Sequence, residues 1–130
     1  MKVLALDYGR ARTGVAVSDP TGTIARPVGV VEQAGSEQGL ARLRELIGEY
    51  EVERVIVGMP LTLRGERGEQ ARETEAFIET LAGATDVPVV AFDERFTTDL
   101  AEQTPAAAAE DARAAAHLLS SYLVWATARA

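Results

Sequence analysis

Two apolar runs in this chain break off at acidic residues: Val3-Leu4-Ala5-Leu6 stops at Asp7, and Val87 to Phe92 stops at Asp93-Glu94. Runs this short have strand length, far below what a membrane span requires. They call for a sheet whose strands carry carboxyl groups at their ends, the first of them a central strand. Lys2 to Tyr8 reads as the first strand, and Thr13 to Ser18 follows after a short connection containing Gly9 and Arg10, a spacing that suits a hairpin. Asp19-Pro20-Thr21-Gly22 is a turn signal, and Ile24 to Val31 reads as a third strand. The chain therefore opens with an antiparallel three-strand meander.

The pattern then changes period. Ser36 starts a helix in which Leu40, Leu43, Leu46 and Ile47 recur at helical spacing. Arg54 to Val57 is a strand that ends at Gly58-Met59-Pro60, and 61–68 is a polar loop carrying Arg64 and Arg67. Glu69 to Leu81 reads as a helix with Ala71, Thr74, Phe77, Ile78 and Leu81 facing inward, and Val87 to Phe92 as another strand. Thr104 suits a helix N-cap and Pro105 the first helical position, opening a last helix that runs to Thr127 or so. The order βββ-α-β-α-β-α implies an α/β fold, a mixed five-stranded sheet (the antiparallel meander plus two parallel strands) flanked by helices. A chain of 130 residues fits one domain over 1–130.

Composition narrows the chemistry. There is no cysteine and a single histidine, His117, so disulfides, thiolate nucleophiles and multi-histidine metal sites within one chain are excluded. A metal site must be built from carboxylates, which favours Mg²⁺ or Mn²⁺. The first apolar run is too short for a signal peptide and no stretch has the length of a membrane span, so the expected compartment is the cytoplasm. The net charge of −7 counts against nucleic-acid binding. Cations bound at acidic residues and a local arginine cluster offset that objection.

Three acidic positions stand where an α/β sheet places its chemistry: Asp7 and Asp93-Glu94 at strand ends, and Asp111 on the last helix. Asp111, Ala114, Ala115, Leu118, Tyr122 and Trp125 follow one helical stripe, which puts the carboxylate on the sheet side. An unpaired buried charge costs several kcal/mol, roughly, and a cation is the simplest compensator. Two plainer readings stand beside this one. In the first, the helix begins later than Thr104 and Asp111 is a first-turn residue favoured by the helix dipole. In the second, Asp7 serves the Gly-containing turn that follows it. Asp-x-Gly also opens the phosphate-binding hairpin of actin-like ATPases and sugar kinases, which need two such domains and a far longer chain.

Four blocks in order carry a closer likeness. They are Asp7-Tyr8-Gly9-Arg10-Ala11-Arg12-Thr13-Gly14-Val15-Ala16-Val17-Ser18-Asp19; Val57-Gly58-Met59-Pro60-Leu61, followed by Gly65 and Gln70-Ala71; Asp93-Glu94-Arg95-Phe96-Thr97-Thr98; and Asp111, Ala114, Ala115, Leu118, Leu119, Tyr122 and Leu123. Together they resemble the YqgF/RuvX family, described as Holliday-junction-resolvase-like proteins and as nucleases that process the 5′ end of pre-16S ribosomal RNA. The resemblance implies a ribonuclease-H-like fold and a catalytic set of Asp7, the Asp93-Glu94 pair and Asp111. Glu94 is preferred over Asp93 as the third metal ligand beside Asp7 and Asp111, because its longer side chain reaches further inward. Two cations about 3.5–4 Å apart would clamp the attacking and leaving oxygens, with Asp7 bridging them. Arg10, Arg12, Arg64, Arg67 and Arg95 are candidates for holding phosphates, although each taken singly also reads as a solvated surface arginine. Tyr122 and Trp125 read as core residues, and His117, on the helix flank beside the core stripe, as a packing or surface residue.

The chain departs from the family pattern in two places. Residues 99–110 are short, alanine-rich and acidic where the family has a longer lysine-rich segment, and Ser120 stands where it has glutamine. The expected partner is nucleic acid, RNA ahead of branched DNA, bound by a monomer or homodimer. The alternatives are a dimeric Holliday junction resolvase and a non-catalytic nucleic-acid-binding regulator.

Overall fold

The computed structural model describes residues 1–60, 68–93 and 107–128. Its elements are β1 (Val3–Asp7), β2 (Arg12–Ser18), β3 (Ala25–Glu32), α1 (Glu37–Glu49), β4 (Arg54–Met59), α2 (Glu69–Ala82), β5 (Val89–Asp93) and α3 (Ala107–Ala128). The strands form one five-stranded sheet in the order β3-β2-β1-β4-β5. The meander is antiparallel, and β1–β4 and β4–β5 are parallel. The sequence-based order and strand directions hold throughout.

The two middle strands, β1 and β4, are apolar on both faces because helices cover both. Leu4, Leu6, Val15, Val17, Val55 and Val57 point to one side and meet Leu43 and Leu46 of α1 and Phe77 and Leu81 of α2. Val3, Ala5, Ala16, Ile56 and Phe92 point to the other and meet Ala115, Leu118, Leu119, Tyr122 and Leu123 of α3. Alternation along β1 therefore puts Asp7 on the α3 side, in line with Val3 and Ala5.

Local chemistry explains the element ends. Ser36 caps α1, its hydroxyl accepting from the Gly39 amide at 3.0 Å. β4 runs two residues past Val57, because Gly58 and Met59 pair with Phe92 and Asp93 of β5. The glycine that reads as punctuation in sequence is held here by a neighbouring strand. β5 begins at Val89 rather than Val87, since Pro88 has no amide to give to a ladder. Pro27 is tolerated in β3 because β3 is an edge strand. A bulge lies between Val15 and Ala16, which pair with Gly29 and Pro27. Gly29 sits at φ 154°, a conformation that side-chain-bearing residues rarely adopt.

The connection from β2 to β3 is organised by Asp19. Its carboxylate accepts from the Thr21 hydroxyl and from the amides of Thr23 and Ile24, both at 2.9 Å. These donors, the Thr21 hydroxyl foremost, hold the Asp19 carboxyl well below the usual carboxylate range. A lowered folded-state pKa contributes stability that is complete above the unfolded value near ~3.9 and is lost as pH falls further. Asp19→Ala is therefore expected to lower the melting temperature at pH 7. The gap to the parent protein, followed by circular dichroism, should narrow as the pH is taken below about 4.

Candidate active site

The β1–β2 hairpin brings the first two acidic-motif elements together. Asp7 lies directly opposite Gly14 in the antiparallel register. The connection between them is pinned from inside: the buried Thr13 hydroxyl bridges the Gly9 amide and carbonyl, both at 3.4 Å, and the Ala11 carbonyl accepts from Gln33 at 2.9 Å. This rigid hairpin carries Arg10 and Arg12.

Gly14 decides where Asp111 goes. A Cβ built on Gly14 would lie 1.9 Å from the Asp111 carbonyl oxygen and 3.2 Å from the Ala112 amide nitrogen. The backbone of α3 thus rests on the backbone of β2 at this position. Gly14 alternates with the inward-pointing Thr13 and Val15, so it opens onto the same face as Asp7. Asp7 and Asp111 consequently share one face at one end of the sheet, Asp7 paired with Gly14 across the hairpin and Asp111 on the turn of α3 that rests on Gly14.

The Asp111 side chain is 30% exposed, but its Oδ2 is buried and accepts no hydrogen bond from any described residue. Its near neighbour is Arg12, whose Nε lies 3.1 Å away. The two observations agree once geometry is considered: the guanidinium is close enough for charge attraction, but its N–H is not aimed at the oxygen. A buried carboxylate oxygen with an unused lone pair suits a hard cation.

The other sequence candidates are distributed as follows. Asp93 ends β5 beside Met59, and Ala91 and Met59 border a cleft with Glu75, Ile78 and Glu79 of α2. Alternation puts Asp93 on that α2 side, whereas its neighbour Phe92 packs under α3. Asp93 thus stands on the face opposite Asp7 and Asp111. Arg10 is exposed and paired with Glu73 of α2, whose hydrogen bond and charge hold the guanidinium above its ordinary value. Glu94, Arg64, Arg67 and Arg95 lie outside the described residues, as does the Thr104-Pro105 helix start. Among the described residues, no group of three His, Cys, Asp or Glu gathers as a metal site. Asp7 and Asp111 provide two carboxylates.

Trp125 corrects an expectation. It is 37% exposed and meets Phe92 and Tyr122 from the rim, at centroid distances of 5.8 and 6.0 Å, while Tyr122 is buried. A straight helix drifts about 20° per heptad against a repeated contact line. Over α3 the buried stripe accordingly moves to Leu118, Leu119, Tyr122 and Leu123, leaving Trp125 at its edge. Two site features had no signal in the sequence: the Arg10–Glu73 pair and the approach of Arg12 to Asp111. Both join segments far apart in the chain.

A family model described as RuvX: Holliday junction resolvase matches residues 1–124. The chain belongs to the RuvX family. The match takes in the whole sheet and α3 as far as Val124, so Asp7, Asp93, Glu94 and Asp111 all fall within it. A relative from Chloroflexus aurantiacus, provisionally named a pre-16S rRNA nuclease, is 46% identical over 101 residues, covering 78% of this chain and 66% of that protein. This chain spans just under two thirds of that relative's length. A relative of the same name from Desulforudis audaxviator is 38% identical and is covered to 94%, with 95% of this chain. Among solved structures, Thermus thermophilus RuvC superposes with a TM-score of 0.63 at 19% identity, covering 98% of this chain and 97% of that one. RuvC from the same organism in complex with a Holliday junction substrate gives 0.62 at 18% identity. At that identity the likeness is one of fold, and the mixed sheet under α3 is ribonuclease-H-like.

The Gly14 contact leaves no room for a side chain. Gly14→Ala is expected to reduce the unfolding free energy by about 1–3 kcal/mol, the usual cost of overpacking. A urea titration with an unchanged midpoint would mean that α3 can lift from β2 freely.

Proposed function

We propose that this chain is a divalent-metal-dependent nuclease that hydrolyses phosphodiester bonds in structured nucleic acid, and that its substrate is the 5′ end of pre-16S ribosomal RNA. The observation that carries the proposal is the pairing of Asp7 and Asp111 on one face, with the buried Asp111 Oδ2 left without a hydrogen bond. Asp7 and Asp111 would supply oxygen ligands to Mg²⁺ or Mn²⁺, with Glu94 as the third. When bound, such cations neutralise charge on the phosphate and lower the pKa of a bound water.

The chain's own residues do the rest. Two carboxylates carried by strand pairing and by a helix locked onto a strand have their backbone positions fixed in advance, which is the preorganisation that phosphoryl chemistry uses. Arg12, on the same hairpin and against the Asp111 carboxylate, would hold a phosphate beside the acids. Arg10 is a second candidate, provided the phosphate displaces Glu73. The family's name and the names of the relatives support nucleic acid as substrate. The net charge of −7 makes affinity depend on these local arginines rather than on the overall field of the protein. Among the described residues no helix is long and apolar enough to cross a membrane.

The test is cleavage, in Mn²⁺ and in Mg²⁺, of single-stranded RNA, a pre-16S 5′-leader mimic and a four-way DNA junction. Asp7→Asn and Asp111→Asn are expected to retain the fold and lose at least ~100-fold in rate, because even groups that merely orient metal ligands cost 10–100-fold. Cleavage of the leader mimic but not the junction is the expected result. Symmetric nicking of the junction would assign the chain as a resolvase working as a dimer. Cleavage that survives both substitutions would overturn the proposed site, and tight binding without cleavage would make the chain a non-catalytic regulator.

A further inference from the structure

Arg12 occupies an unusual position relative to the acid it neutralises. A guanidinium committed to a carboxylate donates along its N–H bonds, often two at once. Arg12 approaches Asp111 Oδ2 to 3.1 Å without doing so, and its side chain is 47% exposed. An ion pair at this exposure is weak, so either partner exchanges at little cost. The backbone beneath it is fixed, since Arg12 pairs with Glu32 in the β2–β3 ladder and Thr13 behind it is buried. Only the side chain has to move.

We infer that Arg12 is an exchangeable counter-ion of Asp111 that links cation binding to nucleic-acid binding, an inference that rests on the metal site proposed above. A divalent cation at Oδ2 would stand within a few ångström of the guanidinium. At an effective dielectric constant of about 20, like charges about 4 Å apart repel by several times the thermal energy. Arg12 therefore leaves Asp111 when the cation arrives. Turned outward from the same hairpin, its planar fork suits a phosphate of a strand lying over the acids. The reverse also holds, because coupling between two ligands is reciprocal. A phosphate that captures Arg12 removes the cation's competitor from Oδ2. Each ligand then tightens the other through one side chain, and the carboxylate is screened by a positive charge throughout. Arg10 is not equivalent, since its partner is Glu73 on α2 and not one of the proposed ligands.

The experiment is calorimetric titration of Mn²⁺ into the whole protein, Arg12→Gln and Asp111→Asn, alone and with a phosphorothioate-linked oligonucleotide that resists cleavage. Without oligonucleotide, Arg12→Gln is expected to bind Mn²⁺ about tenfold more tightly than the parent, the scale of one nearby partly screened charge. With it, the parent's Mn²⁺ affinity should rise severalfold while that of Arg12→Gln stays unchanged. Equal or weaker Mn²⁺ binding by Arg12→Gln would overturn the inference. A lowered melting temperature with unchanged Mn²⁺ affinity would overturn it as well, by making Arg12 a structural clamp. If neither the parent nor Arg12→Gln binds Mn²⁺, the metal reading itself fails and the linkage falls with it. If both bind and Asp111→Asn does not, the metal site stands and the two Arg12 comparisons decide the linkage alone.

Discussion

The backbone contact between α3 and β2 at Gly14 fixes the geometry of everything around it. A helix resting on a sheet through side chains stands about 10 Å away, and small shifts in packing can move it. At Gly14 there is no side chain, and the Asp111 carbonyl lies where a Cβ would be. Close-packed interiors do not deform continuously, so a contact of this kind leaves the helix one seat. Ala112 at this contact and Ala115 three residues on are small and buried, which lets the axis come down onto the sheet. Asp7 is then placed by the same residue from the other direction, through its pairing with Gly14.

That placement has an electrostatic consequence. Folding brings two carboxylates to one face of one sheet end, and it buries an oxygen of one of them without a hydrogen bond. A domain with no task for these groups would do better with neutral residues, because clustered like charges and orphaned acceptors both oppose the compact state. Arg12 offsets part of this cost, and a divalent cation would offset more. The hairpin supplying Asp7 also supplies Arg12, so the acid and its counter-charge arrive on one rigid unit whose turn is pinned by Thr13. Asp93, one strand beyond β4 and on the opposite face, shows how finely strand alternation sorts neighbouring acids into different environments.

The fold was legible because its signals are local. Apolar runs of strand length, leucines at helical spacing and a serine cap each report on a few consecutive residues, and among the described residues the element ends fall within two residues of those boundaries. The misplacements have local causes too. Gly58 reads as a stop until β5 pairs with it, and Val87 reads as strand until the missing amide of Pro88 is considered. Trp125 looked interior because a stripe drawn on a helical wheel ignores the drift of a straight helix across a sheet. The site was legible only in part. Asp7 and Asp111 were evident as acids in places that apolar residues usually take, but nothing in the order of residues shows that Arg10 turns to Glu73 while Arg12 turns to Asp111.

The sequence by itself therefore determined the kind of chemistry this protein can perform. With no cysteine and a single histidine, a multi-ligand metal site has to be built mainly from oxygen ligands, and the periodicity of its apolar residues commits it to a mixed sheet with helices on both faces. The tertiary structure decided which carboxylates meet, which face they share and which arginine stands against them. Those outcomes depend on strand register and on the close approach of α3 at Gly14, contacts between residues as much as ninety-seven positions apart (Gly14 to Asp111). Residue types and spacing specify the period of each element; the meeting of distant elements is set by packing, which follows from the whole chain at once.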